Sequence, residues 1–231
     1  MMPVETRASD PSICVVYADD AIVVLDKPSA LLSVPGRGPD KQDCLSARVQ
    51  KQFSDARVVH RLDMATSGLL VMARGAAIQR TLSEAFANHM VAKQYEAVVH
   101  GNVTMGPDSW RVVDLPIAVD WPNRPRRVIN QESGKASVTR LQTTHFDAQS
   151  QICHLLLEPL TGRTHQLRVH LQAIGHPILG DQLYAPPEVA AMAPRLMLNA
   201  SALTFAHPIS GQPMQFIRQR LKCTGESSTE C

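Results

Sequence analysis

Short β-branched or alternating runs, most of them joined by hairpin-length links, recur along this chain of 231 residues and restrict it to a sheet that is largely antiparallel. A parallel neighbour needs a crossover of a dozen or more residues, usually a helix, and most of the links here are shorter. Residues 13–17 and 21–25 predict a hairpin across Ala18-Asp19-Asp20. Residues 68–73 are apolar on both faces, as in a central buried strand. Residues 93–100 alternate, with Tyr95, Ala97 and Val99 on one side. Residues 110–120 supply a further strand or two, residues 136–146 and 151–158 a long hairpin, and residues 196–205 and 214–217 the last strands. Helices are fewer. Asp43 is placed to cap one that runs to about Phe53, and Ile78, Leu82, Phe86 and Met90 recur at intervals of four on a helix of roughly sixteen residues. A third spans 163–174, stopped by Gly175 and Pro177, and a short one lies near 188–192. The expected class is therefore α+β, a mixed and largely antiparallel central sheet flanked by helices and loops, and not a doubly wound sheet.

With 44% hydrophobic and 19% charged residues the composition is globular, and sixteen prolines against ten aromatics fit many short elements joined by structured loops. One domain is expected over 13–221, with a flexible start at 1–12 and a disordered tail at 222–231. Cys14, Cys44, Cys153, Cys223 and Cys231 are odd in number and lack CxxC spacing, which reads as reduced thiols and not as a disulfide or zinc framework. The first ten residues lack the apolar core of a secretion signal, and no apolar run nears the ~18 residues that span a bilayer. A cytoplasmic protein without membrane contact follows, and the lack of a heptad seam makes a monomer the default. The net charge is only +2, but Lys and Arg outnumber Asp and Glu by 7 to 3 within residues 121–170. A positive patch there suits a phosphate-bearing partner, and a solvated face with uneven charge is the plainer alternative.

Several chemistries are disfavoured. His165 and His170 are five apart, off the i, i+4 stacking of helical zinc ligands, and no HExxH or cysteine cluster accompanies them. Cys153 and His154 are neighbours on a strand and point to opposite faces. No Gly-x-Gly-x-x-Gly or Walker loop is present. What stands out is the polar knot Val58-Val59-His60-Arg61-Leu62-Asp63-Met64-Ala65-Thr66-Ser67-Gly68 between two apolar runs. Its neighbours supply hydrogen bonds and a tight turn, so Asp63 is either a turn former or a carboxylate held for use. Farther on, His165, Arg168 and Gln172 share one side of the predicted third helix beside a stripe of Leu167, Leu171 and Ile174. If buried, Arg168 needs an anion, for which Asp63 is a candidate; the alternative is an exposed arginine.

Three ordered motifs, His60-Arg61-Leu62-Asp63-Met64-Ala65-Thr66-Ser67-Gly68, Lys93-Gln94-Tyr95 and Arg163-Thr164-His165-Gln166-Leu167-Arg168-Val169-His170, resemble those of the RluA family of pseudouridine synthases. The likeness runs from about Cys14 to Ile217, and Asp120-Trp121-Pro122-Asn123-Arg124-Pro125 resembles the RluA branch, not the RluC or RluD branches. The resemblance implies a pseudouridine-synthase-type catalytic domain without the S4 domain of many relatives. It implies Asp63 as the catalytic aspartate, Arg168 as its ion-pair partner, Tyr95 against the target uracil and serving in proton removal, and Arg61 filling the gap left by the flipped nucleotide. Thr66, Ser67 and Leu167 would be lesser wall residues, and His60 and Arg163 lie in the same motifs as further candidates for RNA contact. Arg124, Arg126 and Arg127 would bind phosphates of a stem.

The chemistry agrees with one prominent acid. Isomerisation breaks N1–C1′, turns the uracil and joins C5 to C1′ with no water entering, so the paired carboxylates of a glycosidase are not required. Asp63 would attack C1′ or remove the 2′ proton, and both routes stay open. No metal and no cofactor are implied. The implied partner is RNA, as uridines in a tRNA anticodon stem-loop and a stem-loop of large-subunit rRNA. Two rivals are a non-catalytic RNA-binding module, against which the intact Asp63, Tyr95 and Arg168 argue, and a nucleoside or glycoside hydrolase, for which no second acid lies near a motif.

Overall fold

The computed structural model describes residues 13–105, 109–218 and 221; the expected flexible start and the expected tail both lie outside them. Along the chain come β1 (Cys14–Ala18), β2 (Ile22–Lys27), a 3-10 turn (Pro39–Lys41), α1 (Leu45–Gln52), β3 (Ala56–Val58), β4 (Ser67–Arg74), α2 (Ala76–Ala87) and β5 (Ala92–His100). Then follow β6 (Arg111–Asp114), β7 (Ile117–Val119), β8 (Arg127–Ile129), β9 (Val138–Asp147), β10 (Ile152–Pro159), α3 (Gln166–Ala173), α4 (Pro187–Ala190), β11 (Leu198–Ala206) and β12 (Pro213–Ile217). The α+β class with a mostly antiparallel sheet holds. The chain forms two compact units; of the described residues the first holds 13–92 and 200–218, and the second holds 93–105, 109–199 and 221.

In the first unit the strand order is β1-β2-β4-β11, with β3 beside β4 and β12 beside β11. The β1–β2, β2–β4, β3–β4 and β11–β12 pairs are antiparallel. The expected central strand is β4, buried on both faces through Ala73. Ile22, Val24, Leu69, Val71, Leu82 and Phe205 form the core beneath it. α2 stops at Ala87, short of Met90, which is 68% exposed. The helical spacing continues on paper, but His89 takes a positive φ of 57° and ends the helix, so Met90 never reaches the apolar face. Asp43 does not cap α1. It forms a fork with Arg48 at 2.8 and 2.6 Å instead, a local ion pair outcompeting the cap.

In the second unit the order is β5-β10-β9-β6, all antiparallel, with β7 and β8 as a separate hairpin. Val98, Leu179 and Val189 form a buried cluster there. α3 begins at Gln166, three residues later than the spacing predicts, because His165 sits in the left-handed region at φ 58°. Gln166 takes over the work of the missing turn. Its carboxamide oxygen accepts from Thr161 Oγ1 and from the Arg163 N–H, and its nitrogen donates to the Val138 carbonyl.

The expectation of five reduced thiols needs correction. Cys44 and Cys153 are free and buried, but Cys14 is disulfide-bonded. Such pairing depends on approach between distant parts of the chain, about which the spacing of cysteines is silent. Among the described residues no helix is long and apolar enough to cross a membrane.

Gly68 shows why the knot before β4 ends in glycine. Its φ is +107°, and a Cβ there would collide with the backbone of Ala200. We expect Gly68→Ala to destabilise the protein by at least about 2 kcal/mol, since strained φ and overlap add. Urea denaturation of purified variants measures this.

Candidate active site

The knot containing Asp63 is an irregular loop between β3 and β4, and it is held from outside by another. Lys27, the last residue of β2, and residues 28–33, the proline-bearing segment that follows, reach across with side chains to the knot's backbone. Ser33 Oγ donates to the Leu62 carbonyl at 2.7 Å, and the Leu62 N–H returns to Ser33 Oγ at 3.1 Å. Ser29 Oγ donates to the Ala65 carbonyl at 2.7 Å, and Lys27 Nζ donates to the Met64 carbonyl at 3.1 Å. The Thr66 N–H closes a turn on the Asp63 carbonyl at 3.1 Å. The backbone on both sides of Asp63 is thereby tied down while its side chain stays half-buried. Arg61 beside it is exposed, whereas Thr66 and Ser67 are buried.

Lys27 is the unexpected member. Its side chain is fully buried, and its Nζ also donates to the carbonyls of Pro28 and Leu31, each at 2.8 Å. Burial lowers its pKa to about 8, partly offset by the negative charge of Asp63. Three carbonyls and one carboxylate thus stabilise a cation under the knot. Its sequence signal was faint, a lysine closing the apolar strand Ile22-Val23-Val24-Leu25-Asp26-Lys27 where a solvated end is the ordinary reading. His60, expected to contact RNA, is engaged in the fold: its Nε2 accepts the Val71 N–H at 3.1 Å, and its ring stacks on Phe86 with centroids 4.3 Å apart.

The second unit carries Tyr95, Leu167 and Arg168. Tyr95 lies on β5, half-buried, opposite Leu157 of β10. Two residues earlier, burial lowers the pKa of Lys93. Leu167 is buried on α3. Arg168 is buried too, which decides against the exposed alternative, and its partner in this unit is one that spacing did not suggest. Its Nε and a terminal nitrogen reach the two carboxylate oxygens of Asp181 at 2.8 and 2.6 Å. Asp181 in turn accepts the N–H groups of Leu183 and Tyr184. The guanidinium carbon lies 5.0 Å from the centroid of the Tyr184 ring. A bidentate pair removed from water in this way fixes the plane of the guanidinium as well as its position. Asp181 follows Pro177-Ile178-Leu179-Gly180, and no period or charge pattern distinguishes it.

Tyr184 extends this arrangement. Its hydroxyl lies 2.7 Å from His165 Nδ1 and accepts the Arg127 N–H at 2.9 Å. Arg126 donates to the Leu183 carbonyl. The turn at 181–184 therefore contacts both α3 and the start of β8. The expected basic loop occupies the end of the β7–β8 hairpin, with Arg124 and Arg126 exposed and Arg127 half-buried as the first residue of β8. Arg163 is exposed and donates to the Ala136 carbonyl at 3.2 Å. His170 is a fold residue between Thr139 Oγ1 and the Leu115 carbonyl, each at 2.9 Å, and burial lowers its pKa. Among the described residues no three His, Cys, Asp or Glu side chains are grouped so as to hold a metal ion.

A family model described as RNA pseudouridylate synthase matches residues 21–173, which include Asp63, Tyr95 and Arg168. The dual-specificity RNA pseudouridine synthase RluA of Escherichia coli strain K12 is 46% identical over 207 residues, covering 90% of this chain and 93% of the relative. The protein of the same name from Vibrio cholerae is 45% identical over 201 residues, with 87% and 80% covered. Among solved structures, human RNA pseudouridylate synthase domain containing 1 superposes with a TM-score of 0.74 at 26% identity, covering 93% of this chain and 86% of that one.

Three outcomes follow from the buried cations. Lys27→Met is expected to cost roughly 1–3 kcal/mol near neutrality, because carbonyls lose their donor. The depressed pKa also sets a sign. Between about 8 and the ordinary 10.5 the unfolded chain holds a proton that the folded chain has released, so this contribution grows as pH rises through that window and is lost as pH falls through 8. Urea titrations across it should show wild type gaining on Lys27→Met. In the second unit, Asp181→Ala withdraws the bidentate partner of a buried cation and should lower stability by about 3–5 kcal/mol, read from the same titrations.

Proposed function

This chain belongs to the RNA pseudouridylate synthase family, and we propose that Asp63 is its catalytic aspartate, with Tyr95 and Arg168 serving the same uridine. The enzyme isomerises uridine in RNA to pseudouridine. One observation carries the assignment of Asp63: the carbonyls of Leu62, Met64 and Ala65 are each held by a side chain from the end of β2 or the segment after it, so the turn is rigid around a carboxylate that remains half-buried. A turn former needs no such scaffold. A group that must meet a reacting carbon within a fraction of an ångström does.

Uracil leaves C1′ as an anion, so no general acid is required. Asp63 attacks C1′ or takes the 2′ proton, and the base, freed and turned, is rejoined through C5. Arg168, its guanidinium positioned by Asp181, serves as a fixed cation in the same reaction. Tyr95 lies against the uracil and accepts or relays the surplus proton on C5. Thr66 and Leu167 contribute walls. Arg61, exposed beside the acid, takes the space of the flipped nucleotide, which repays part of the few kcal/mol that unstacking costs. Arg124, Arg126, Arg127 and Arg163 meet phosphates.

The Escherichia coli and Vibrio cholerae relatives are named dual-specificity enzymes. The same breadth is assigned here, to a tRNA anticodon stem-loop and a stem-loop of large-subunit rRNA. The protein acts in the cytoplasm as a monomer with neither metal nor cofactor.

Asp63→Ala and Asp63→Asn should abolish pseudouridine formation in a tritium-release assay on tRNA while leaving RNA affinity intact. Turnover retained by either variant would sink the assignment.

A further inference from the structure

Trp121 stands at the tip of the β7–β8 hairpin, 67% exposed, in a chain with only two tryptophans. An indole in water forfeits the burial that a tryptophan ordinarily gains, and here it does so on a rigid support. Asp120 accepts the Asn123 N–H at 3.3 Å and the Asn123 carboxamide at 3.1 and 3.0 Å. The Arg126 N–H reaches the Asn123 carbonyl at 3.0 Å, and the Asp120 N–H returns to the Arg126 carbonyl at 3.2 Å. Below the tip, Val119 pairs with Arg127, and the contacts to Leu183 and Tyr184 anchor the hairpin's base. The loop presents its side chains in one arrangement.

In that arrangement the guanidinium carbon of Arg124 lies 3.5 Å from the centroid of the Trp121 ring. Cation–π stacking holds the indole at a set orientation and puts positive charge beside it. Arg126 is exposed on the same loop, while the neighbouring carboxylate of Asp120 is occupied by Asn123. A flat aromatic surface edged with arginines is complementary to an unstacked base beside its phosphate, the pairing by which proteins recognise single-stranded RNA. The reacting uracil needs a site from which water is excluded, and an exposed loop tip is not one.

We propose that Trp121, oriented by Arg124, is a stacking platform for an unpaired base of the RNA substrate other than the uridine that is isomerised. This rests on the assignment of RNA as substrate. Trp121 acts in recognition, and Arg124 both fixes the ring and meets the phosphate of the stacked nucleotide.

The test uses the full chain carrying Trp110→Phe, so that Trp121 is the sole indole emitter. Its probes are a synthetic RNA hairpin, the same hairpin with abasic loop positions, and an uninterrupted RNA duplex of the same stem. Binding is followed by anisotropy of labelled RNA and, in parallel, by tryptophan emission. The hairpin should quench Trp121, and the abasic loop should bind without quenching. Trp121→Ala should weaken hairpin binding roughly 5- to 100-fold, leave duplex binding unchanged and raise KM for the hairpin, while Trp121→Tyr restores most of the affinity. The platform is overturned by emission that does not move while anisotropy reports binding. Undiminished hairpin affinity in Trp121→Ala, or an equal loss on hairpin and duplex, overturns it too. If wild type neither binds the hairpin nor forms pseudouridine, the RNA assignment itself falls and the platform with it.

Discussion

A cation buried without acceptors is intolerable in a protein interior, and each unit of this molecule is arranged around satisfying one. In the first unit it is Lys27, whose ammonium holds the carbonyls of Pro28, Leu31 and Met64. In the second it is Arg168, held by Asp181 at both oxygens. The two solutions differ as the side chains differ. An ammonium is a point charge with donors that can be spread over several acceptors, and it gathers three carbonyls from loops that would otherwise move independently. A guanidinium is a planar fork, and it takes a single carboxylate in one orientation. The first ties loop to loop; the second fixes the orientation of a group.

Regular elements supply the platform for these interactions and irregular ones carry the chemistry. β4 is buried on both faces and pairs with β2 from Ala73 to Gly68, where Gly68 lies opposite Lys27. The loops that precede β4 and follow β2 therefore leave the sheet at the same edge, within reach of each other. Ser29 and Ser33 use that proximity to hold the knot's carbonyls. In the second unit the turn at 181–184 plays the corresponding part, since Asp181 serves Arg168 while Tyr184 and Leu183 reach the base of the basic hairpin. A polar side chain within the motifs can also serve the fold. His60 accepts a strand N–H and stacks on Phe86, a use for which imidazole is as suited as for binding.

Much of the fold was legible because strand alternation and helical spacing are local properties. The hairpins β1–β2 and β9–β10 and the doubly buried β4 follow from their residues. The misreadings fall at ends, where competing interactions decide. Met90 continues the four-residue spacing but follows His89 at positive φ. Asp43 has the right type for a cap and pairs with Arg48 instead. Arg163 opens the third motif, yet α3 starts at Gln166, whose side chain satisfies groups that an earlier turn would have used. β3 is a three-residue strand in a stretch with no alternation long enough to detect.

By itself the sequence determined the class of fold, the central strand, the loop around Asp63, the helix bearing Arg168 and the family to which those motifs belong. These rest on residue type and on spacing within a few positions, where backbone geometry leaves few choices. Tertiary structure alone decided that Lys27 is buried under the knot, that Arg168 is buried with Asp181, that Cys14 is disulfide-bonded and that Trp121 stands exposed under Arg124. Each of those depends on which distant segment arrives beside a side chain. Desolvation and hydrogen bonding act through space and leave no period in the chain.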